Sequence, residues 1–311
     1  MEANNKTMVA YFVISGISNI PHLQVPIFLL VLLIYLNTLG GNMTILLLVF
    51  LDSHLHTPMY FFLANLSILD MSSSSITLHK VLAAFITRDK TVSFLGCIVQ
   101  FYMFSSLACN QLLILTAMSF DRYVAICSPL RYSIIMNSRV CALLATVCWV
   151  LSFLEVVPYL VLLLEFTCYK SNIINHFFCD LVPLLSLTCS DTSALEMLSL
   201  IEGLLLLSLT PFVLTFTPYV FIITAIVRIR TSSGRYKAFY TCSSHLITVV
   251  LLYGTLVSQY LKPTTEDSLE SNKLFSLFNT AAVPMLNPLI YSLNNKDVKA
   301  ALKRTLRAIK Y

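Results

Sequence analysis

Charged residues are missing from this chain in long blocks. Gln24 to Phe50, Thr91 to Phe120, Gly203 to Val227, Ala238 to Leu261 and Leu274 to Asn295 contain no Asp, Glu, Lys or Arg. Two further apolar blocks carry one carboxylate each, Asp70 within Pro58 to Leu78 and Glu155 within Val140 to Leu164. Each of the seven reaches the roughly 20 residues a helix needs to cross about 30 Å of hydrocarbon. Lipid offers the backbone no hydrogen-bond partner, so these blocks must be helices that satisfy themselves. The pattern predicts an all-α membrane protein, a seven-transmembrane helix bundle. Beyond the seventh block, Val298, Leu302, Leu306 and Ile309 recur at helical spacing with basic residues between them. That spacing predicts a short amphipathic helix lying on the cytoplasmic leaflet.

Composition agrees with the blocks. Of 311 residues, 57% are hydrophobic and only 11% charged, with a mean hydropathy of +0.81. Soluble domains carry about 25% charged residues, so there is too little polar surface here to cover a globule in water. Basic residues near the span ends set the orientation. An outer amino terminus leaves Arg122, Arg131, Arg139, Arg228, Arg230, Arg235, Lys237 and the tail cations from Lys296 to Lys310 on the cytoplasmic side. That is 13 of the 20 Lys and Arg. The expected organisation is one domain over 1–311: an extracellular segment 1–23, helices within 24–293 and a cytoplasmic tail 294–311. The net charge of +5 then reflects topology and attraction to anionic membrane lipids, and no nucleic-acid partner is expected.

No cleavable leader is evident: the first apolar run, Met8 to Ile17, follows an acidic start and lacks a small-residue cleavage site. Asn5-Lys6-Thr7 is a glycosylation sequon on the outer side, whereas the sequons at Asn42 and Asn65 fall inside spans. Cys97, Cys168, Cys179 and Cys189 sit at the outer side, where disulfides persist, and four cysteines allow three pairings. Cys109, Cys127, Cys141, Cys148 and Cys242 lie in membrane or cytoplasm and are expected outside any bridge. His176, Cys179 and Asp180 offer N, S and O to a metal, but the thiol is better placed in a disulfide, and no metal or cofactor is expected.

Five strings carry more information. LHTPMYFFLANLSILD runs from Leu55 to Asp70, MSFDRYVAIC from Met118 to Cys127, HFFCD from His176 to Asp180, KAFYTCSSHL from Lys237 to Leu246 and PMLNPLIYSLNNK from Pro284 to Lys296. Asp121-Arg122-Tyr123 closing a third helix resembles the rhodopsin-like G-protein-coupled receptors. The five strings in this order resemble their olfactory branch, and HFFCD resembles its terrestrial-type class II. This chain departs from the usual pattern at Ser119-Phe120, Pro218 and Tyr240.

The resemblance implies a switch. Asp121, Arg122 and Tyr123 would meet a heterotrimeric G protein, with Tyr219, Asn287, Pro288 and Tyr291 as its relay. Arg122 offers five donors that never deprotonate, so it can pair with Asp121 at rest and turn to the G protein in a second state. Asp70 is an ionisable group at mid-membrane depth; in the family it faces the Asn-Pro segment and can bind sodium. Gln111 stands where the olfactory pattern usually has a second carboxylate, which implies weaker sodium binding or none. The family's disulfide is Cys97–Cys179, leaving Cys168–Cys189 to close the loop on itself.

A ligand chamber follows by the same analogy. Phe101, Phe104, Ser105, Ala108 and Leu112 form one stripe on the third helix, with Cys109 beside it. Leu204 and Leu207 on the fifth helix, Tyr253, Leu256, Val257 and Tyr260 on the sixth, and Thr280 on the seventh complete it, with Glu202 as a polar candidate. Such a lining suits a small, volatile, mostly hydrophobic odorant held by shape and one or two hydrogen bonds. The implied function is an odorant receptor of the plasma membrane, in olfactory cilia, acting through adenylyl cyclase and cAMP. Nothing assembles a nucleophile, base and orienter, so no enzyme is expected. A transporter would show paired repeats and broken midplane helices, and the sequence has neither.

Overall fold

A computed structural model describes residues 9–18, 20–201, 209–260, 273–293 and 295–309. Among these, six helices are long and apolar enough to span a membrane: α1 (Pro21–Leu51), α2 (Pro58–Thr87), α3 (Phe94–Cys127), α4 (Ser138–Leu164), α5 (Thr210–Arg228) and α7 (Lys273–Ser292). Helix α6 (Ser232–Tyr260) supplies the seventh span as a bent pair, Ser232–Tyr240 and Cys242–Leu256, which meet at 42°. A final helix, α8 (Lys296–Ile309), follows. The seven charge-poor blocks are thus the helices, with three adjustments.

First, α2 continues nine residues past Leu78, taking in His79 and Lys80, to end at Arg88 in a left-handed conformation. Second, α4 is interrupted at Val156, between Ser138–Glu155 and Val157–Leu164. Pro158 lies at the start of the second piece; its missing N–H and its ring cannot continue the preceding turn. Third, Pro218 sits within α5 without ending it. Glu202, Leu204 and Leu207 lie outside the described residues, as does Asn5.

Local chemistry explains several boundaries. The Ser93 hydroxyl accepts from Gly96 N (3.1 Å) and caps α3, and Asn137 Oδ1 accepts from Val140 N (3.1 Å) and caps α4. Both occupy N–H groups that a helix start leaves without partners. Within the spans, hydroxyls of Thr38, Thr44, Ser75, Thr77 and Thr116 donate to the carbonyl four residues back. That is how a polar side chain is accommodated where water is absent. Large apolar residues cover the perimeter, among them Leu33, Leu36, Phe50, Leu143, Leu154, Val220 and Val227. Water would penalise so much apolar surface, and lipid does not.

Helix α3 is the hub, packing against α2, α4, α5 and α6, while α1 lies against α2, α7 and α8. Gly41 allows the α1–α7 approach, since a Cβ there would meet Pro288 at 3.0 Å. Asn42 Nδ2 donates to Pro284 O (3.1 Å) across the same seam. Helix α7 carries a π-helical turn at Phe278–Ala282. One end of the bundle is covered by a small sheet that the hydrophobic pattern does not announce. Strand β1 (Tyr11–Ile14) pairs antiparallel with β2 (Thr91–Ser93) and parallel with β3 (Ile173–Ile174).

Candidate functional site

Four groups of side chains lie along α3 between the sheet-covered end and the opposite end. At the sheet-covered end, Cys97 is bonded to Cys179 and Cys168 to Cys189, so the loop between α4 and α5 is stapled twice. Gln100 completes the seal: its Oε1 accepts from Cys179 N (3.0 Å) and its Nε2 donates to Ile76 O (2.8 Å). Cys179 is therefore committed to a disulfide, and among the described residues no group of three His, Cys, Asp or Glu could hold a metal. His176 is buried against the rings of Phe177 and Phe178, at 4.6 and 4.8 Å. Burial, reinforced by the nearby Lys273 ammonium, pushes its pKa down to about 3.

Below the cap, Phe104 packs edge-on against Phe178, with ring centroids 4.8 Å apart, so the α3 stripe touches the stapled loop directly. The stripe is divided between neighbours. Phe101 is buried with Tyr159 of α4 (6.5 Å), and the Cys109 thiol donates to Glu155 Oε2 (2.9 Å). Ser105 and Ala108 are half-buried and Leu112 is buried in the core. Tyr253 of α6 meets Phe212 and Phe216 of α5 edge-on, at 5.6 and 5.7 Å. Thr116 and Thr215 share a hydrogen bond (2.9 Å) between α3 and α5, and Thr255 donates to Asn279 between α6 and α7. The Thr280 hydroxyl donates to Ser276 O (2.8 Å) while its carbonyl accepts from Ser74 Oγ (3.2 Å). Leu256 is half-buried; the side chains of Val257 and Tyr260 lie outside the described residues. Aromatic rings therefore line this zone, and the hydroxyls of Thr116, Thr215, Thr255 and Thr280 bond within the protein.

At mid-bundle, Asp70 is fully buried. Asn287 Nδ2 donates to one carboxylate oxygen (2.9 Å) and Gln111 Nε2 to the other (3.3 Å). A cation at Asp70 would find one negative charge whose oxygens already accept from two amides. Gln111 thus presents an amide donor where a second carboxylate would present an anionic oxygen. Asn287 and Pro288 stand on α7 with Tyr291, whose ring is almost completely buried.

At the far end Arg122 is only 8% exposed and Asp121 not at all. Arg122 Nε donates to Asp121 Oδ2 at 3.0 Å, Nη2 donates to the same oxygen, and Tyr132 OH donates to Oδ1 at 2.7 Å. Tyr123 stacks edge-on with Phe221 of α5 (5.9 Å). His245 Nε2 lies 3.1 Å from Leu115 O, an atom that can only accept, so Nε2 carries the proton. Its Nδ1 then accepts from Tyr219 OH at 2.5 Å. Reasoning from sequence names Tyr219 but misses both Tyr132 and His245. The latter stands inside the KAFYTCSSHL string, as a histidine on an otherwise apolar helix.

The comparisons fit this arrangement. A family model described as olfactory receptor matches residues 31–308. Olfactory receptor 6C3 of Homo sapiens is 44% identical over 305 residues, covering 98% of each chain. Olfactory receptor 6C1 of Homo sapiens is 46% identical, covering 96% of this chain and 95% of its own. Olfactory receptor 5G9 of Mus musculus is 44% identical, covering 100% and 98%. The α3 hub with its Asp121–Arg122 pair, the buried Asp70–Asn287 contact and the stapled loop thus occur in a chain that belongs to the olfactory receptor family.

Proposed function

We propose that the chain is a class II odorant receptor. It binds small, volatile, mostly hydrophobic ligands beneath the stapled loop and activates an olfactory-type heterotrimeric G protein that stimulates adenylyl cyclase. Its amino terminus faces outward, glycosylated at Asn5, and its tail lies in the cytoplasm of olfactory cilia. The ligand sits among Phe104, Ser105, Ala108 and Tyr253, with Leu204, Leu207, Val257, Tyr260 and Glu202 as further contacts. The observation that carries the reading is the buried Asp121–Arg122 pair held by Tyr132. A buried ion pair contributes little net stability because desolvating two charges offsets their attraction. Such a pair at the end of a helix bundle suits a switch better than a strut. Opening that end would release the guanidinium to the carbonyls and carboxylates of a G-protein helix, which only the opened state can bind.

The test is a cAMP assay in cells expressing the olfactory G protein, first across a chemically diverse odorant panel and then with Arg122→Ala. The expected result is an odorant-evoked rise in the wild type that the variant lacks at matched surface expression. Wild-type signalling by the variant would remove Arg122 from the mechanism.

A further inference from the structure

A cavity opens between the sheet-covered ends of α1 and α2. It has a volume of about 570 Å³ and is lined by the exit of β1, the first turns of α1 and the last turns of α2. Sites for small molecules span roughly 300–1,000 Å³, so the space is large enough for one. Its chemistry is divided. Lys80 and Ala84 are spaced four residues apart on one face of α2, Arg88 caps the end of that helix, and Lys90 follows in the loop to β2. All three cations line the cavity, and among the described residues none of them has an ion-pair partner. Asp89 accepts from Thr91 N (2.9 Å) and Thr91 Oγ1 (2.7 Å) and feels the Lys80 ammonium without forming an ion pair at contact distance. The remaining wall is apolar: Phe28 and Phe85 stack at 4.2 Å with their planes 16° apart, flanked by Val25 and Val81.

Lysines and arginines at span ends are ordinarily interfacial anchors that reach into water. Two observations separate these three from that role. Lys80 and Lys90 are half-buried around a concave space, and Lys90 Nζ reaches Ser15 O (3.3 Å) across its roof. Arg88 holds φ of 58°, a left-handed helix end that glycine ordinarily occupies; strain of this kind at a non-glycine residue collects where a side chain has a task.

We propose that this cavity binds an anionic amphiphile, its acid head held by Lys80, Arg88 and Lys90 and its hydrocarbon chain laid on the Phe28–Phe85 stack. The head can be the carboxylate of a free long-chain acid or the phosphate of an anionic phospholipid entering from the bilayer. The site is separate from the odorant chamber, so it stands or falls independently of the signalling reading.

The experiment uses the full-length receptor in phosphatidylcholine nanodiscs, with the fluorescent acid cis-parinarate as probe and dodecanoate and dodecanol as competitors. Dodecanoate is expected to displace the probe at about tenfold lower concentration than dodecanol, the ratio that one charge-assisted contact provides. Replacing Lys80→Gln together with Arg88→Gly, which also relieves the left-handed backbone, is expected to weaken probe binding by about tenfold or more. Lys80→Arg keeps the charge and is expected to keep the binding, which guards against a folding artefact. Repeating the titration with phosphatidylglycerol in the nanodiscs identifies the source: suppression of the probe means a bilayer lipid occupies the site, and unchanged binding means a free acid does. Equal potency of dodecanol and dodecanoate, or equal binding by the double variant, overturns the proposal.

Discussion

Asp121 has two oxygens and each is already engaged, one by the Arg122 guanidinium and one by the Tyr132 hydroxyl. The tyrosine therefore steadies the carboxylate that holds the arginine. Hydrogen bonds to charged groups contribute about 1.5–3 kcal/mol. Tyr132→Phe removes one such bond while keeping the ring, and its cost falls on the paired state alone. Basal cAMP is expected to rise by about tenfold, since about 1.4 kcal/mol moves an equilibrium by one decade. Basal output at or below wild type, at matched surface expression, would show that Tyr132 does not hold the resting pair. His176 gives a second residue-level expectation. Its folded pKa is about 3, against 6.5 in an open chain, so between these values the open loop binds more protons than the closed one. The closed loop is fully favoured above pH 6.5 and loses that preference as pH falls towards 3. At pH 5 the loss amounts to about 2 kcal/mol. The protection factor over residues 173–181, exchange taken relative to the intrinsic rate at each pH, should fall on acidification from pH 7.5 to pH 5, and His176→Gln should flatten the response. A wild-type protection factor that is insensitive to pH would remove His176 from the account.

At the scale of elements, the cap over the sheet-covered end is held by covalent bonds more than by regular structure, because its strands are two to four residues long. Cross-linking residues 82 apart removes about 4–5 kcal/mol of loop entropy from the unlinked chain, and residues 21 apart about 3 kcal/mol. Cys97 also fixes the loop to α3 above Phe104, whereas Cys168–Cys189 closes the loop on itself. Loss of Cys97–Cys179 is expected to abolish surface expression and signalling. Loss of Cys168–Cys189 should leave a receptor with weakened thermal stability and a measurable response. Equal outcomes for the two double-serine variants would contradict this ranking. The same comparison shows which elements were legible from sequence. Charge-poor runs mark spans because a charge in lipid is costly, so all seven helices were visible, two of them despite a single carboxylate. The ends were not: α2 runs on past Lys80, whose half-buried side chain lines the α1–α2 cavity while its backbone stays helical. Strands this short carry no periodicity, so the sheet left no trace in the pattern. Asp121 and Arg122 were legible as a contiguous motif. The Cys109–Glu155 and Tyr132–Asp121 contacts were not, because each joins separate elements and only packing brings them together.

For the whole molecule, the proposed chamber and the proposed switch are joined by one rigid element. Helix α3 is 34 residues long, or about 50 Å at 1.5 Å per residue, and carries Cys97, Phe104, Gln111 and Arg122 in turn. A ligand shifts a two-state bundle only by as much as it prefers one state. If the odorant favours the state in which Arg122 leaves Asp121, a G protein that binds the same state must favour the odorant. Linkage makes the two effects equal, with factors of about 5 to 150 typical of allosteric proteins. In nanodiscs, nucleotide-free G protein is expected to raise odorant affinity by a factor in that range. The odorant should raise G-protein affinity by the same factor. Arg122→Ala should abolish the gain in both directions while odorant binding to the uncoupled receptor stays unchanged. That separates the switch from the chamber, because a ligand-binding defect would instead lower affinity with and without G protein. Unequal factors in the two directions would mean that ligand and G protein act on different equilibria, and α3 could not then be the element that both of them bias.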